Sequence, residues 1–313
     1  MSSIVNGSNL SVLQTATETM WQDAWNGYSG PYLQDLLALE IPTDAKFVND
    51  SAVIGSPDLE EWTSAKKFYS PRALTKTYTI KKYHKSMKVD RLDLDSRGGA
   101  ETVGRNIKQF MGNPKRNIQK QMVTMLLANT ETGLDGVSLA NDSHPFTTTT
   151  DNLTTSALTH SVADGIIQAM MGFKDEDGNL LDIYPTDFVC GPALQVTAFD
   201  VFAVTRPLAV SNAGAYGGTS NVVGATQVPN AFEGKCRVHI CPEITGTQYG
   251  FFDLSKPGLR PLVRFVKREM ESITQMNMDD EGRFISDEFR LSVEGDWIWG
   301  VGAWQTSYLK VAA

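Results

Sequence analysis

TYTIKKYHKSMKVDRLDLD spans residues 77–95, and the way this stretch folds decides the architecture. Just before and within it, Thr75, Thr77 and Thr79 alternate with Lys76, Tyr78 and Ile80, and further on Met87 alternates with Val89. Period-two alternation is the mark of a half-buried strand. The spacing therefore predicts two strands of a long hairpin, turning around Lys81-Lys82 to Lys85. The segment 46–95 carries few large apolar side chains. A hairpin that polar is marginal in water by itself, so it is expected to lie against something else.

Working outward, Val103, Ile107, Phe110, Met111, Ile118, Met122, Met125 and Leu126 recur at three- and four-residue spacing. That is one apolar stripe, and it predicts a helix over 99–131, about 45 Å long at ~1.5 Å per residue. A kink is expected at Gly112-Asn113-Pro114, with Gly133 as the stop. Upstream, residues 10–40 read as short helical pieces broken at Gly27, Gly30 and Pro31, forming an N-terminal arm. Downstream, Leu158, Val162, Ile166, Met170 and Phe173 form a helical face, followed by a turn at Asp175 to Gly178. A strand-like DIYPTDFVCG, a helix over 193–204, a glycine-rich loop at 211–225, and strands CRVHIC (236–241) and YGFFDL (249–254) complete that region. From Leu262 the chain is strand-rich, with a turn at Asp279 to Gly282. Strands distributed around a few helices make an α+β fold.

The 313 residues, 41% hydrophobic and 20% charged, have globular proportions. No run approaches the roughly 18 apolar residues that span a bilayer, and the N-terminus lacks a basic start followed by an apolar core. A soluble protein without a secretory signal is expected. Cys190, Cys236 and Cys241 are an odd number without a dense framework, the usage of reduced thiols in a cytoplasmic setting. The net charge of −8 hides an asymmetry: Lys66 to Lys120 holds 15 Lys and Arg against four acidic residues, leaving 13 basic and 32 acidic residues elsewhere. A cationic sixth of the chain on an anionic body suits attraction of a polyanion or of a second copy of the chain. The same stretch also reads as a solvated basic face.

Chemical motifs are few. His144 lies beside Ser143 and close to Asp142 in DGVSLANDSHPF (135–146), but Asn, Asp, Ser and Pro are turn residues, and adjacency in sequence does not build a triad. A structural His144 is expected. Cys236, His239 and Cys241 lack zinc-finger spacing, so buried thiols are expected. Asp175, Asp177 and Asn179 begin like a calcium loop, but Leu180 and Thr186 stand where glycine and glutamate are required, leaving a hairpin turn. Gly98-Gly99 through Gly104 lacks the Gly-Lys-Ser/Thr of a phosphate loop. No cofactor or metal is expected. For nucleic acid, Tyr69, Tyr78 and Tyr83 accompany the cations, but no recognised binding motif is present. Opposite charges on different surfaces fit self-association as well or better, through a heterologous contact that closes rings or extends arrays.

The order of arm, charged hairpin, long kinked helix, α+β insertion and closing strands resembles the major capsid proteins of tailed bacteriophages, in particular the Mu-like prophage major head subunit family. The resemblance is carried by DLEEWTSAKKF (58–68), TYTIKKYHKSMKVDRLDLD (77–95), DGVSLANDSHPF (135–146) and IYPTDFVCGPALQVTAFDVF (183–202), and covers most of the chain from about residue 30 onward. It implies an N-terminal arm (1–45), an extended hairpin loop (46–95), a peripheral domain (96–150 and 255–313) with spine helix 99–131, and an axial domain (151–254). It implies a non-catalytic subunit that assembles into hexamers and pentamers of an icosahedral shell around double-stranded DNA. Partners would be other copies of the chain, a separate scaffolding protein, a portal and decoration proteins, with assembly in the bacterial host cytoplasm and residence in the virion capsid. The expected subunit interface comprises Trp62, Lys66, Lys67, Arg72, Lys76, Lys81, Lys82, Lys85, Lys88, Arg91, Arg105, Lys115 and Arg116. Alternatives are an encapsulin-like compartment of the same fold, a nucleic-acid-binding protein, or a hydrolase using His144 or Cys190.

Overall fold

The computed structural model describes residues 7–27, 32–54, 61, 68, 72–90, 99–112, 114–145, 150–175, 177–202, 232–275 and 287–311. In chain order these form α1 (Gly7–Asn26), α2 (Leu33–Leu37), β1 (Ala38–Pro42), β2 (Phe47–Ile54), β3 (Arg72–Thr79) and β4 (Lys81–Asp90). Then come α3 (Gly99–Met111), α4 (Pro114–Ala128), α5 (His160–Met171), β5 (Asp187–Cys190) and α6 (Gln195–Phe202). The chain closes with β6 (Arg237–Ile240), β7 (Tyr249–Phe252), β8 (Leu262–Gln275), β9 (Glu288–Val301) and β10 (Ser307–Lys310). Two compact units result: 1–50, 75–122 and 263–300 make the first, and 51–74, 123–262 and 301–313 the second.

The alternation of 75–80 is real, with Tyr78 buried and the three threonines exposed. The pairing differs from the expectation. β3 and β4 do not fold back on each other around Lys81 to Lys85: β3 pairs with β2 in a two-stranded sheet, while β4 is the edge of a four-stranded sheet ordered β1-β8-β9-β4. β4 runs antiparallel to β9 from Lys81 opposite Trp297 to Asp90 opposite Glu288. Period two marks a strand but is silent about its partner, and β9, buried along most of its length, supplies the apolar surface that polar β3 cannot.

This register sorts β4 into two faces. Val89 joins Trp21, Ile107, Phe289, Leu291 and Val293 in one core, with Met87 and Phe110 packed against it. His84, Ser86 and Lys88 point to the other face, opposite Glu294, Ser292 and Arg290. A second core gathers Tyr78, Val263, Phe265 and Ile298. On the opposite face of the same sheet the Arg264 guanidinium is buried, 1% exposed, against Trp297 and Trp299. Two glutamates meet it, Glu269 at 2.8 Å and Glu40 of β1 at 3.1 Å, which ties β1 to β8.

The long helix 99–131 is two helices. Gly112 N–H donates to the Gln109 carbonyl at 3.3 Å and closes α3. α4 restarts at Pro114, whose missing N–H falls where a helix has no use for one. It ends at Ala128, earlier than Gly133, because Asn129 takes a left-handed φ of 49°. The Asn129 side chain then pins Ala140 from both sides, accepting from its N–H at 3.0 Å and donating to its carbonyl at 2.7 Å.

In the second unit, β10-β7-β5-β6 form a sheet in which β5 and β6 are parallel and the other pairs antiparallel. Its core is aromatic: Phe188, Phe202, Tyr249 and Phe251 pack edge-on or tilted, with centroids 4.9–6.0 Å apart. The predicted turn at Asp175 is present: the Asp175 carboxylate accepts from the N–H groups of Asp177 and Asn179, and Gly178 supplies a φ of 90°. Lys174 and Leu180 bridge across it. The glycine-rich loop at 211–225 and the turn at 279–282 lie outside the described residues.

Candidate assembly surface

β4 concentrates the cations because an edge strand leaves one rim in water, where lysines are tolerated and deter uncontrolled strand pairing. Lys81, Lys82, His84, Lys85 and Lys88 are all exposed along it. They differ in what they touch. Lys88 Nζ meets the Glu288 carboxylate at 2.7 Å. Lys85 has the parity of the apolar face, and its stem carries the ammonium over the Phe110 ring, 4.8 Å from the centroid, to donate to the Phe110 carbonyl at 2.7 Å. Phe110 lies in the last turn of α3, so Lys85 satisfies a terminal carbonyl and complements the helix dipole. Lys81 and Lys82 lie at the other end of the strand, opposite Trp297 and Asp296.

The remaining expected interface residues fall in several places. Lys76 covers the Tyr78 ring at 4.8 Å. Lys115 is half-buried over the Trp25 and Tyr32 rings, at 5.3 and 5.6 Å. Arg105 and Arg116 are exposed on α3 and α4. Arg72 opens β3. Trp62, Lys66, Lys67 and Arg91 lie outside the described residues. The structure thus brings the β4 lysines onto one rim and ties them through Lys85 to α3. Lys108 and Lys120, exposed on the same two helices, were missing from the expected set.

The chemical candidates resolve in the second unit. His144 is buried, 1% exposed, and its carboxylate partner is Asp135 rather than Asp142. Nδ1 donates to Asp135 Oδ2 at 2.6 Å, Nε2 faces Asn152 Oδ1 at 3.2 Å, and the ring stacks on Trp304 at 3.7 Å and 5°. Asn152 in turn accepts from Asn141 N–H at 2.8 Å and donates to the Leu139 carbonyl at 2.8 Å, which fixes its amide orientation. Both imidazole nitrogens are committed to holding the 135–152 loop, the structural role expected of His144.

The three thiols are buried, and burial pushes each up to about 12, so none is a ready nucleophile. Cys236 and Cys241 make weak contacts to the Pro185 carbonyl and to Glu243, at 3.4 and 3.2 Å. His239 turns instead to Asp187 at 2.8 Å. Among the described residues no group of three or more His, Cys, Asp or Glu is placed to hold a metal ion. Asp187 itself is fully buried. Burial would raise its carboxyl, but hydrogen bonds from His239, Thr186 and Arg237, with the Arg237 charge, win and hold it below its ordinary value.

The backbone matches the bacteriophage JBD30 procapsid with a TM-score of 0.54 at 16% identity, over 99% of this chain and 77% of that one. It matches the mature capsid of bacteriophage PhiM1 at 0.55 and 10% identity, over 91% and 87%. A virus-like particle from Pyrococcus furiosus matches at 0.53 and 8% identity, over 95% and 98%. No curated protein sequence matches the chain. The fold is therefore the tailed-phage major capsid fold. The phage capsid protein family model matches residues 73–308, from β3 to β10, and the chain belongs to that family.

Proposed function

We propose that the chain is the major subunit of a phage head, assembling as hexamers and pentamers into an icosahedral shell around double-stranded DNA. The observation that carries this reading is the family match over 73–308, which takes in parts of both compact units. In this reading residues 1–45 are an arm, 46–95 an extended loop, α3 and α4 the spine of a peripheral domain, and 151–254 an axial domain. A separate scaffold, a portal and decoration proteins complete assembly in the host cytoplasm. Placement in the Mu-like branch rests on the four quoted segments. The subunit contact is assigned first to Lys81 and Lys82, the two β4 lysines at the end away from Glu288.

The archaeal virus-like particle has the same fold, so a compartment for protein cargo is the second reading. The test is to purify particles, treat them with nuclease, and ask what remains inside. Protected double-stranded DNA supports the head; co-purified enzyme without DNA supports the compartment. A chain that stays monomeric with and without a scaffold refutes both.

A further inference from the structure

Residues 105–107 and 116–118 are the same tripeptide, Arg-Asn-Ile, eleven residues apart. The copies lie on separate helices, α3 and α4, yet burial treats the two alike. Ile107 and Ile118 are buried, at 1% and 0% exposure, while Arg105, Asn106, Arg116 and Asn117 face water. Lys108 and Lys120 are exposed on the same two helices. From Thr102 to Thr130 the sequence has no aspartate or glutamate. Among the described residues from 102 to 122, none that is exposed is apolar or acidic.

This combination selects among partners. A docking surface for protein presents aromatic or aliphatic anchors at its centre, and among the described residues this face exposes none. A duplex backbone asks for what is here: guanidinium forks and ammonium groups for phosphate oxygens, with neutral amides as further donors, and no base-reading motif. The chain's net charge of −8 does not oppose such a contact, because fields beyond about 8 Å are screened at physiological ionic strength. Lys115 is half-buried over Trp25 and Tyr32, unlike these four exposed cations, and takes no part.

We infer that the exposed face of α3 and α4, through Arg105, Lys108, Arg116 and Lys120 with Asn106 and Asn117, binds the phosphate backbone of double-stranded DNA without sequence preference. This rests on the reading of the chain as a DNA-enclosing shell subunit, and moves Arg105 and Arg116 from the subunit contact to the nucleic acid. The test uses the full chain, dilute and unassembled, with a labelled 30-base-pair duplex, following fluorescence anisotropy across a salt series. Neutralising the four cations (Arg105→Gln, Lys108→Gln, Arg116→Gln, Lys120→Gln) should reduce the log–log salt slope by about 3 to 4 and the affinity at least ~10-fold. Glutamine keeps helix propensity, and circular dichroism checks that the helices survive. The Arg105→Lys/Arg116→Lys double variant should keep the slope, and so should Lys81→Gln/Lys82→Gln.

No duplex binding by the wild type at low salt, or an unchanged slope in the neutralised variant, overturns the assignment. So does binding of polyglutamate through these four residues in preference to duplex, which would make the partner an acidic polypeptide. Shell formation by the wild type is scored separately by sedimentation, so a wild type that forms shells yet binds no duplex counts against the DNA contact alone, and one that forms no shells counts against the reading it rests on.

Discussion

His144 shows how one side chain in a motif-like setting is settled by what surrounds it. Its imidazole lies between Asp135 and Asn152 and flat on Trp304, with no edge left for a substrate. His144→Ala should leave the Asp135 carboxylate, only 5% exposed, without its partner and lower unfolding stability by about 2–4 kcal/mol. A denaturant midpoint unchanged from wild type would refute the structural role. Gly191 is a second such residue: a Cβ there would fall on the Ile244 backbone carbonyl, which cannot swing aside like a side chain. Gly191→Ala should therefore cost about 1–3 kcal/mol, read as a lower melting temperature. That His144 would be structural was legible from its turn-rich neighbours. That Asp135 rather than Asp142 would hold it was not, because the loop closes over nine residues and sequence proximity favoured the wrong carboxylate.

At the scale of elements, β5 and β6 carry a buried carboxylate whose charge is held by its neighbours. The Asp187 carboxyl lies below its ordinary value, so its stabilising contribution is present above the unfolded carboxylate range, about pH 4, and is lost as pH falls through its folded value. Asp187→Asn should destabilise the fold by about 1–3 kcal/mol at pH 7 and progressively less toward acid. Urea midpoints of both proteins at pH 7 and pH 3 test this: a difference that does not shrink in acid would show that the charge is not the cause. β4 is the element where sequence reading went furthest astray. Its alternation was visible, but a turn was expected where Lys81 to Lys85 continue as strand, because five near-consecutive polar residues look like a loop until β9 is seen beside them. The stripe from Ile107 to Leu126 announced helix, and Gly112-Asn113-Pro114 announced the break between α3 and α4; only the early stop at Asn129, ahead of Gly133, was not legible.

For the whole molecule, the segregation of charge bears on assembly. Lys81→Glu/Lys82→Glu turns attraction at the proposed subunit contact into repulsion and should abolish or strongly reduce shells in sedimentation and negative-stain images, with the monomer still folded. Normal shells from that variant would remove the contact from β4. Reversing Lys85 or Lys88 is a poorer test, since one holds the Phe110 carbonyl and the other Glu288 within the same chain. What the sequence determined by itself was local in origin: strand and helix periodicities, the turn at Asp175, and a cationic stretch whose count needs no coordinates. The family resemblance added the order in which those pieces come. Only the tertiary structure decided the partner of each strand, the partner of His144, and which lysines stay in water. Those outcomes depend on contacts such as that between β4 and β9, some two hundred residues apart in sequence, and a periodic pattern records that a face will be buried without recording what buries it.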